Sequence, residues 1–411
     1  MKVAVVSYGL AGGGAARAAN RLVNALCKSG LSVEVHTSEG ARDASAEPTG
    51  STPANSLSHK LRSKAASGLM RLQRSDNPVL HTPAVFPSRL AACLNRSDAD
   101  VVNLHWVAGE LLSVENIGEI TKPIAWTMHD SWAFSGSEHH QADEADRRFA
   151  DGYDVSNRPS SHQGLDLDRW VWTRKHKAWR RPMTIVSPGE WLAARARQSK
   201  LMRGWPIKVI PNPIPLGTYH PRPDLECRHH FGLGYDTEYV LFSAAGTPDR
   251  NKGWPHFVEA MTALHRRGHP AVAVLLGGTG RDLSTCDFPH LVLDALTADD
   301  EMARLYAAVN VVAVPSRVET FPQMATEALA CGTPVVAFRC SGLQDVVRHQ
   351  ETGYLAEPFS SAELAKGLAW TLEPANLAVL SRRATDHATR EWSEEATASQ
   401  YRALFEAMLR S

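Results

Sequence analysis

Two glutamates, Glu319 and Glu327, stand eight positions apart in Val314-Pro-Ser-Arg-Val-Glu319-Thr-Phe321-Pro322-Gln-Met-Ala-Thr-Glu327-Ala-Leu-Ala-Cys-Gly332. The apolar residues before them suit a buried strand, and the segment after Glu319 suits a helix beginning near Phe321, with Pro322 in its first turn. A helix start offers unpaired N–H groups and a positive dipole end to an anion such as a phosphate. Glu319 could accept hydrogen bonds from two vicinal sugar hydroxyls, and Glu327, two turns on, from a ribose. The plainer reading makes Glu319 a helix cap and Glu327 a solvated face residue. A second group, Gly246-Thr-Pro-Asp-Arg250-Asn-Lys252-Gly253-Trp254, places two cations in one turn. Arg250 and Lys252 could neutralise a leaving pyrophosphate, or could simply be solvated.

Gly12-Gly13-Gly14-Ala-Ala-Arg17 follows the first strand and opens a helix. The dinucleotide fingerprint needs glycine where Arg17 stands, and His36 occupies the place of the acidic ribose ligand, so a nicotinamide cofactor is disfavoured. Thr127-Met-His129-Asp130-Ser-Trp132 lies at the carboxyl end of a strand, where open α/β sheets place ligands. His129 there is a candidate to bond a sugar hydroxyl. Asp98-Ala-Asp100 precedes a strand and reads as a turn, while His139-His140 and His229-His230 lack further ligands at metal spacing. No metal site is assigned. Six cysteines, Cys27, Cys93, Cys227, Cys286, Cys331 and Cys340, lie scattered without a C-x-x-C pair, which fits a reducing compartment.

The segment around Glu319 and Glu327 resembles the Glu-x7-Glu motif of glycosyltransferase family 4, a retaining family of GT-B fold. Thr320 and Pro322 depart from that pattern, where glycine is usual. The resemblance makes Lys252 a phosphate-binding lysine, although the Gly-Arg pair common after the preceding strand is missing and Arg250 stands in its place. It implies that the glycine-rich loop at Gly13 and Gly14 approaches the donor phosphates and that His129 faces the sugar. The His129-Asp130-x-Trp132 segment is similar to a subgroup making exopolysaccharides of the colanic-acid type, whose following cysteines are absent here.

From the resemblance follows an expected activity: transfer of a hexose-type sugar from a nucleotide-diphosphate sugar to a carbohydrate or lipid-linked acceptor, with retention and without metal or cofactor. Catalytic roles would fall to His129, Arg250, Lys252 and Glu319. Donor binding would fall to Gly13, Gly14, Lys252, Glu319, Phe321, Pro322 and Glu327. A nucleotide-sugar epimerase of the same fold and a non-catalytic carbohydrate-binding partner are the alternatives.

These residues need a scaffold. Strand-like runs alternate with helical patterns throughout, the pattern of parallel βαβ units and an α/β fold. Strands are expected near 2–7, 32–36, 101–105, 124–129, 183–186 and 207–210, then near 239–243, 271–276, 291–293, 311–314, 334–338 and 353–355. At 411 residues the chain exceeds one ordinary core. The proline-rich run Ile210 to Pro221 forbids a helix or central strand, which places a boundary near 212/213. The expectation is two Rossmann-like domains, 1–212 on the acceptor side and 213–389 for the nucleotide-sugar, facing across a cleft. The terminal helix, 390–411, would return to the first. Residues 40–53 read as a mobile loop.

Lys plus Arg and Asp plus Glu both total 44, so a nucleic-acid partner is not implied. No apolar stretch reaches membrane length, and a cytoplasmic protein is expected. Residues 55–75, however, hold five Lys or Arg, no acidic residue, and Leu57, Leu61, Ala65, Leu69 and Leu72 at helical spacing. That stripe either lies in an anionic membrane interface or covers the first domain's sheet.

Overall fold

The computed structural model describes residues 1–43, 56–141, 146–243, 250–277 and 283–410, without the side chains of 41–43 and 56–60. Gly246 to Asp249 of the cationic turn, and residues 44–53 of the expected loop, lie outside the described residues. The chain divides into two compact units, Met1–Pro213 with Thr397–Ser411, and Ile214–Ala396.

In the first unit the strands are β1 (Lys2–Val6), β2 (Ser32–Thr37), β3 (Gly40–Asp43), β4 (Gln73–Arg74), β5 (Val101–Leu104), β6 (Ile124–Thr127), β7 (Gln163–Gly164), β8 (Thr184–Ser187) and β9 (Ile207–Val209). Seven form one sheet in the order β3-β2-β1-β5-β6-β8-β9, while β4 and β7 pair separately. All neighbours in the large sheet are parallel except β2 and β3, which run antiparallel with Val35 opposite Arg42. β5 and β6 are buried at every position, as parallel strands covered by helices on both faces must be. One face packs on Leu22 and Leu26 of the helix Gly14–Lys28 and on Tyr401 and Phe405 of the helix Glu394–Arg410. On the other, Trp126 of β6 packs with Trp132, Phe134 and Trp179.

The second unit holds β10 (Tyr239–Ser243), β11 (Val272–Leu276), β12 (His290–Leu293), β13 (Val311–Val314), β14 (Val335–Phe338) and β15 (Gly353–Ala356). They form one parallel sheet in the order β12-β11-β10-β13-β14-β15. Its core gathers Phe242, Phe257, Tyr306 and Phe338. In each unit the order reverses beside the first strand, at β1/β5 and at β10/β13, and ligands in such sheets bind beyond the carboxyl ends at that reversal.

The structure corrects two readings of the sequence. Residues 40–43, expected as part of a mobile loop, form the edge strand β3; pairing with β2 supplies the backbone bonds that polar composition did not advertise. Most of the apolar stripe on the basic segment is uncovered, with Leu69 half-buried and the side chain of Leu57 outside the described residues. In the helix Ser56–Met70 and just beyond it, Leu61 is 60% and Leu72 53% exposed and Ala65 is exposed, whereas Ala66 is buried. Among the described residues no helix is long and apolar enough to cross a membrane.

Candidate active site

In the second unit, the loop after β13 carries Glu319. Its side chain meets the Lys252 ammonium at 2.7 Å, with both groups partly exposed. Lys252 closes a short 3-10 turn, Arg250–Lys252, and two features fix that turn. Asn251 donates from Nδ2 to the Val318 carbonyl at 2.7 Å and accepts from the Val318 N–H at 2.9 Å, while its own carbonyl accepts from the Arg317 N–H. Gly253 follows at φ +70°, where a Cβ would stand 1.9 Å from the Pro315 oxygen. Only glycine fits both the conformation and the approach. From the other side, Ser341 Oγ accepts from the Glu319 N–H at 3.0 Å, and the Gly342 N–H donates to the Glu319 carbonyl at 2.7 Å. A cation and a carboxylate are thus presented side by side beyond β10 and β13, and Arg250 is exposed in the same turn.

Helix Gln323–Ala330 starts later than the sequence suggested. Pro322 is its cap, at φ −67° and ψ 108°, with its carbonyl accepting from Ala325 and Thr326. The proline ring disfavours a helical residue before it, so Phe321 stays outside the helix. The Phe321 ring packs edge-on against Trp392 at 5.9 Å and is a core group, leaving only its backbone for a ligand. Glu327 is 2% exposed, not solvated, and accepts from the Tyr306 hydroxyl at 3.0 Å. Burial and the adjacent Glu327 carboxylate raise the Tyr306 hydroxyl far above its ordinary value, keeping it a donor.

In the first unit, Gly12 adopts φ +99° and Gly13 caps the helix Gly14–Lys28. Added Cβ atoms at Gly12 and Gly13 would meet nothing within 4 Å, so Gly12 is required by its backbone angle and Gly13 by neither angle nor contact. His129 stands just past β6, half-buried, its Nε2 2.9 Å from His105 Nδ1. Burial lowers the His129 pKa to about 4, against the pull of Asp130. Asp130 itself is turned inward, accepting from Trp106 Nε1 at 3.0 Å, the Trp132 N–H at 2.9 Å and His139 Nδ1 at 2.5 Å. Burial would raise its carboxyl, but the neighbouring His139 outweighs this and holds it well below the carboxylate range. Asp130 therefore braces the segment and does not reach for substrate.

Asn251, His105 and Ser341 act as supports that the sequence reading did not single out. An Asn inside a short cationic turn was the available hint, since Asn readily bonds nearby backbone. One cluster among the described residues could offer three metal ligands, His81, Glu138 and Asp168, with ligand atoms within 4.8 Å of one another. Asp168 already accepts from Gln73 Nε2 at 2.8 Å and Ser137 Oγ at 2.5 Å, and contacts His81 Nδ1 at 3.3 Å. Beside it the buried Lys175 ammonium donates to the carbonyls of Trp132, Ser135 and Gly136. Protein donors thus occupy Asp168, whereas His81 Nε2 and Glu138 Oε2 are buried without a hydrogen-bond partner among the described residues.

Residues 12–217, half of the chain, match the family described as Glycosyltransferase Family 4, and residues 237–373 match Glycosyl transferases group 1. Two curated relatives are D-inositol 3-phosphate glycosyltransferases. That of Segniliparus rotundus is 34% identical over 220 residues, covering 50% of this chain and 47% of the relative. That of Acidothermus cellulolyticus is 32% identical over 201 residues, covering 45% and 44%. The chain spans about half the length of the curated relatives it matches. Sucrose-phosphate synthase from Thermosynechococcus elongatus superposes with a TM-score of 0.65 at 18% identity, covering 99% of each chain. Anabaena HepE, solved with UDP-glucose, gives 0.63 at 16% identity, covering 99% of this chain and all of its own. These structures share the fold, the GT-B pairing of two Rossmann-like domains. On the family match, with the Glu319 and Lys252 geometry beside it, the chain belongs to glycosyltransferase family 4.

Proposed function

We propose that this protein transfers a hexose-type sugar from a nucleotide-diphosphate sugar to a carbohydrate acceptor, with retention of configuration and without a metal ion. The observation that carries the reading is the Lys252 ammonium held 2.7 Å from the Glu319 carboxylate by the braced turn. A diphosphate needs a fixed cation and a sugar needs a fixed acceptor of hydroxyl hydrogens, and this pair offers both from a braced turn. Arg250 adds a second charge to the leaving diphosphate. Glu327 is the candidate for the donor ribose, and the backbone at Phe321 and Pro322 and the helix start beyond them for its phosphates. On the first unit, the glycine-rich loop at Gly13 and Gly14 is a candidate for phosphate contact, and His129 for a sugar hydroxyl. The leaving phosphate takes the acceptor proton, so no protein nucleophile is required.

The acceptor has two candidate chemistries. The segment Thr127 to Trp132 supports a sugar acceptor, free or lipid-linked, of the exopolysaccharide type. The named activity of the curated relatives supports a phosphorylated polyol. The exposed basic helix supports contact with an anionic membrane from the cytoplasmic side. Purified protein given UDP-glucose and other nucleotide-sugars, with D-inositol 3-phosphate or a polyprenyl-linked sugar, tests all of this. Product NMR should show the donor's anomeric configuration, and an inverted product would overturn the retaining mechanism. Failure to turn over or hydrolyse any nucleotide-sugar would return the chain to a binding role.

A further inference from the structure

We propose that a buried hydrogen-bonded chain from the C-terminal helix to His129 fixes which nitrogen of His129 carries its proton, with Asn103 and His105 as positioning residues. This rests on the reading that His129 faces the sugar. Asn103 is fully buried and donates from Nδ2 to the Ala125 carbonyl at 2.9 Å and to Thr127 Oγ1 at 3.0 Å. With both amide hydrogens engaged, Oδ1 is the atom 2.9 Å from His105 Nε2. A carbonyl oxygen only accepts, so His105 Nε2 carries a hydrogen. Burial, with His129 beside it, holds the His105 pKa well below its ordinary value, so the ring is neutral and that hydrogen is its only one. His105 Nδ1 is then a lone pair, and His129 Nε2, 2.9 Å away, must donate to it. His129 is neutral at pH 7 for the same reason, burial.

His129 Nδ1 is left as an acceptor, with no hydrogen-bond partner among the described residues. A sugar hydroxyl arriving there finds a fixed lone pair and donates to it. The opposite tautomer would set two lone pairs against each other inside the protein, at the cost of a buried unmade bond. The far end is anchored in tertiary structure, since Thr127 Oγ1 lies 2.8 Å from the Tyr401 hydroxyl of the helix Glu394–Arg410. The chain therefore runs Tyr401, Thr127, Asn103, His105, His129, all within the first unit.

Imidazole ¹⁵N–¹H NMR of the donor-free full chain decides it, with His129→Gln used to assign the ring. The expected result is a slowly exchanging proton on His129 Nε2, with coupling across the hydrogen bond to His105 Nδ1. A proton on His129 Nδ1, or rapid averaging of both tautomers, would overturn the proposal. His105→Phe should abolish the signal and lower kcat about 100-fold, as a misplaced reacting group commonly does, leaving nucleotide affinity unchanged. His105→Asn, whose Oδ1 can still accept, should recover part of both. Unchanged kcat and an intact resonance in His105→Phe would also overturn it. The wild-type resonance requires no turnover, so it decides the tautomer even if the proposed activity fails.

Discussion

Glu319 and Lys252 form an ion pair at 2.7 Å before any donor arrives, so substitution of either removes that pair. Their proposed roles still separate. Lys252→Ala should lower kcat roughly 100-fold or more, the usual loss when one preorganised charge contact is removed. Glu319→Ala should do comparable harm while the bare nucleotide still binds by calorimetry, because its partner is the sugar. Glu327→Ala should weaken the bare nucleotide and also destabilise the unit, since the buried Tyr306 hydroxyl loses its acceptor. Nucleotide binding lost with Glu319→Ala and kept with Glu327→Ala would reverse the two assignments.

At the scale of elements, the Arg250–Lys252 turn is held to the loop after β13 by Asn251, which meets Val318 through both its amide nitrogen and its amide oxygen. Asn251→Ala should lower kcat about 10-fold or more through misplacement of Lys252, with a thermal midpoint shift of only a few degrees. Gly253→Ala is the harsher test of the same turn, because the Cβ meets the Pro315 oxygen; it should cost both activity and stability. The helix Ser56–Met70 makes a different prediction. With Leu61 and Leu72 exposed and Lys64, Arg71 and Arg74 in solvent, the protein should pellet with anionic but not neutral vesicles. Each cation near the surface adds about 1 kcal/mol. Replacing Lys60, Arg62, Lys64, Arg71 and Arg74 by Gln should abolish pelleting. Equal recovery in the supernatant with either vesicle at low salt would remove the membrane from the proposal.

For the whole molecule, activity should survive EDTA. Loss in chelator restored by manganese or magnesium would defeat the metal-free mechanism and turn attention to His81, Glu138 and Asp168, which a folded-state chelation assay with His81→Ala would then examine. Stability should also depend on pH with a definite sign. His129 and His387 are held to about 4 by burial, against an ordinary 6.5. Between those values the unfolded chain binds the more protons, so stability falls as pH drops from about 6.5 toward 4 and recovers as pH rises. Both ring nitrogens of His387 are buried without a hydrogen-bond partner among the described residues. His387→Leu should therefore flatten the fall in thermal midpoint over that window; an unchanged slope would show that other groups carry it.

The runs of Val, Ile, Leu and Ala determined by themselves that this chain folds as parallel sheets, because strands buried on both faces tolerate little else. The Glu319 to Glu327 spacing and the Lys252-Gly253 pair likewise marked the candidate site, since both lie within short local segments. Pro322 as a cap was within reach of the same local logic, though helix ends are the least legible boundaries. What the tertiary structure decided are the partners. Asn251 finds Val318, Glu327 lies beneath Tyr306, and Asn103 and Thr127 connect His105 to Tyr401. Each pairing joins groups from separate strands, helices or loops, and no periodicity records which distant residue will fill a hydrogen bond. The same limit explains Leu61. Spacing shows that a helix has an apolar stripe, but only the packed molecule shows whether anything covers it.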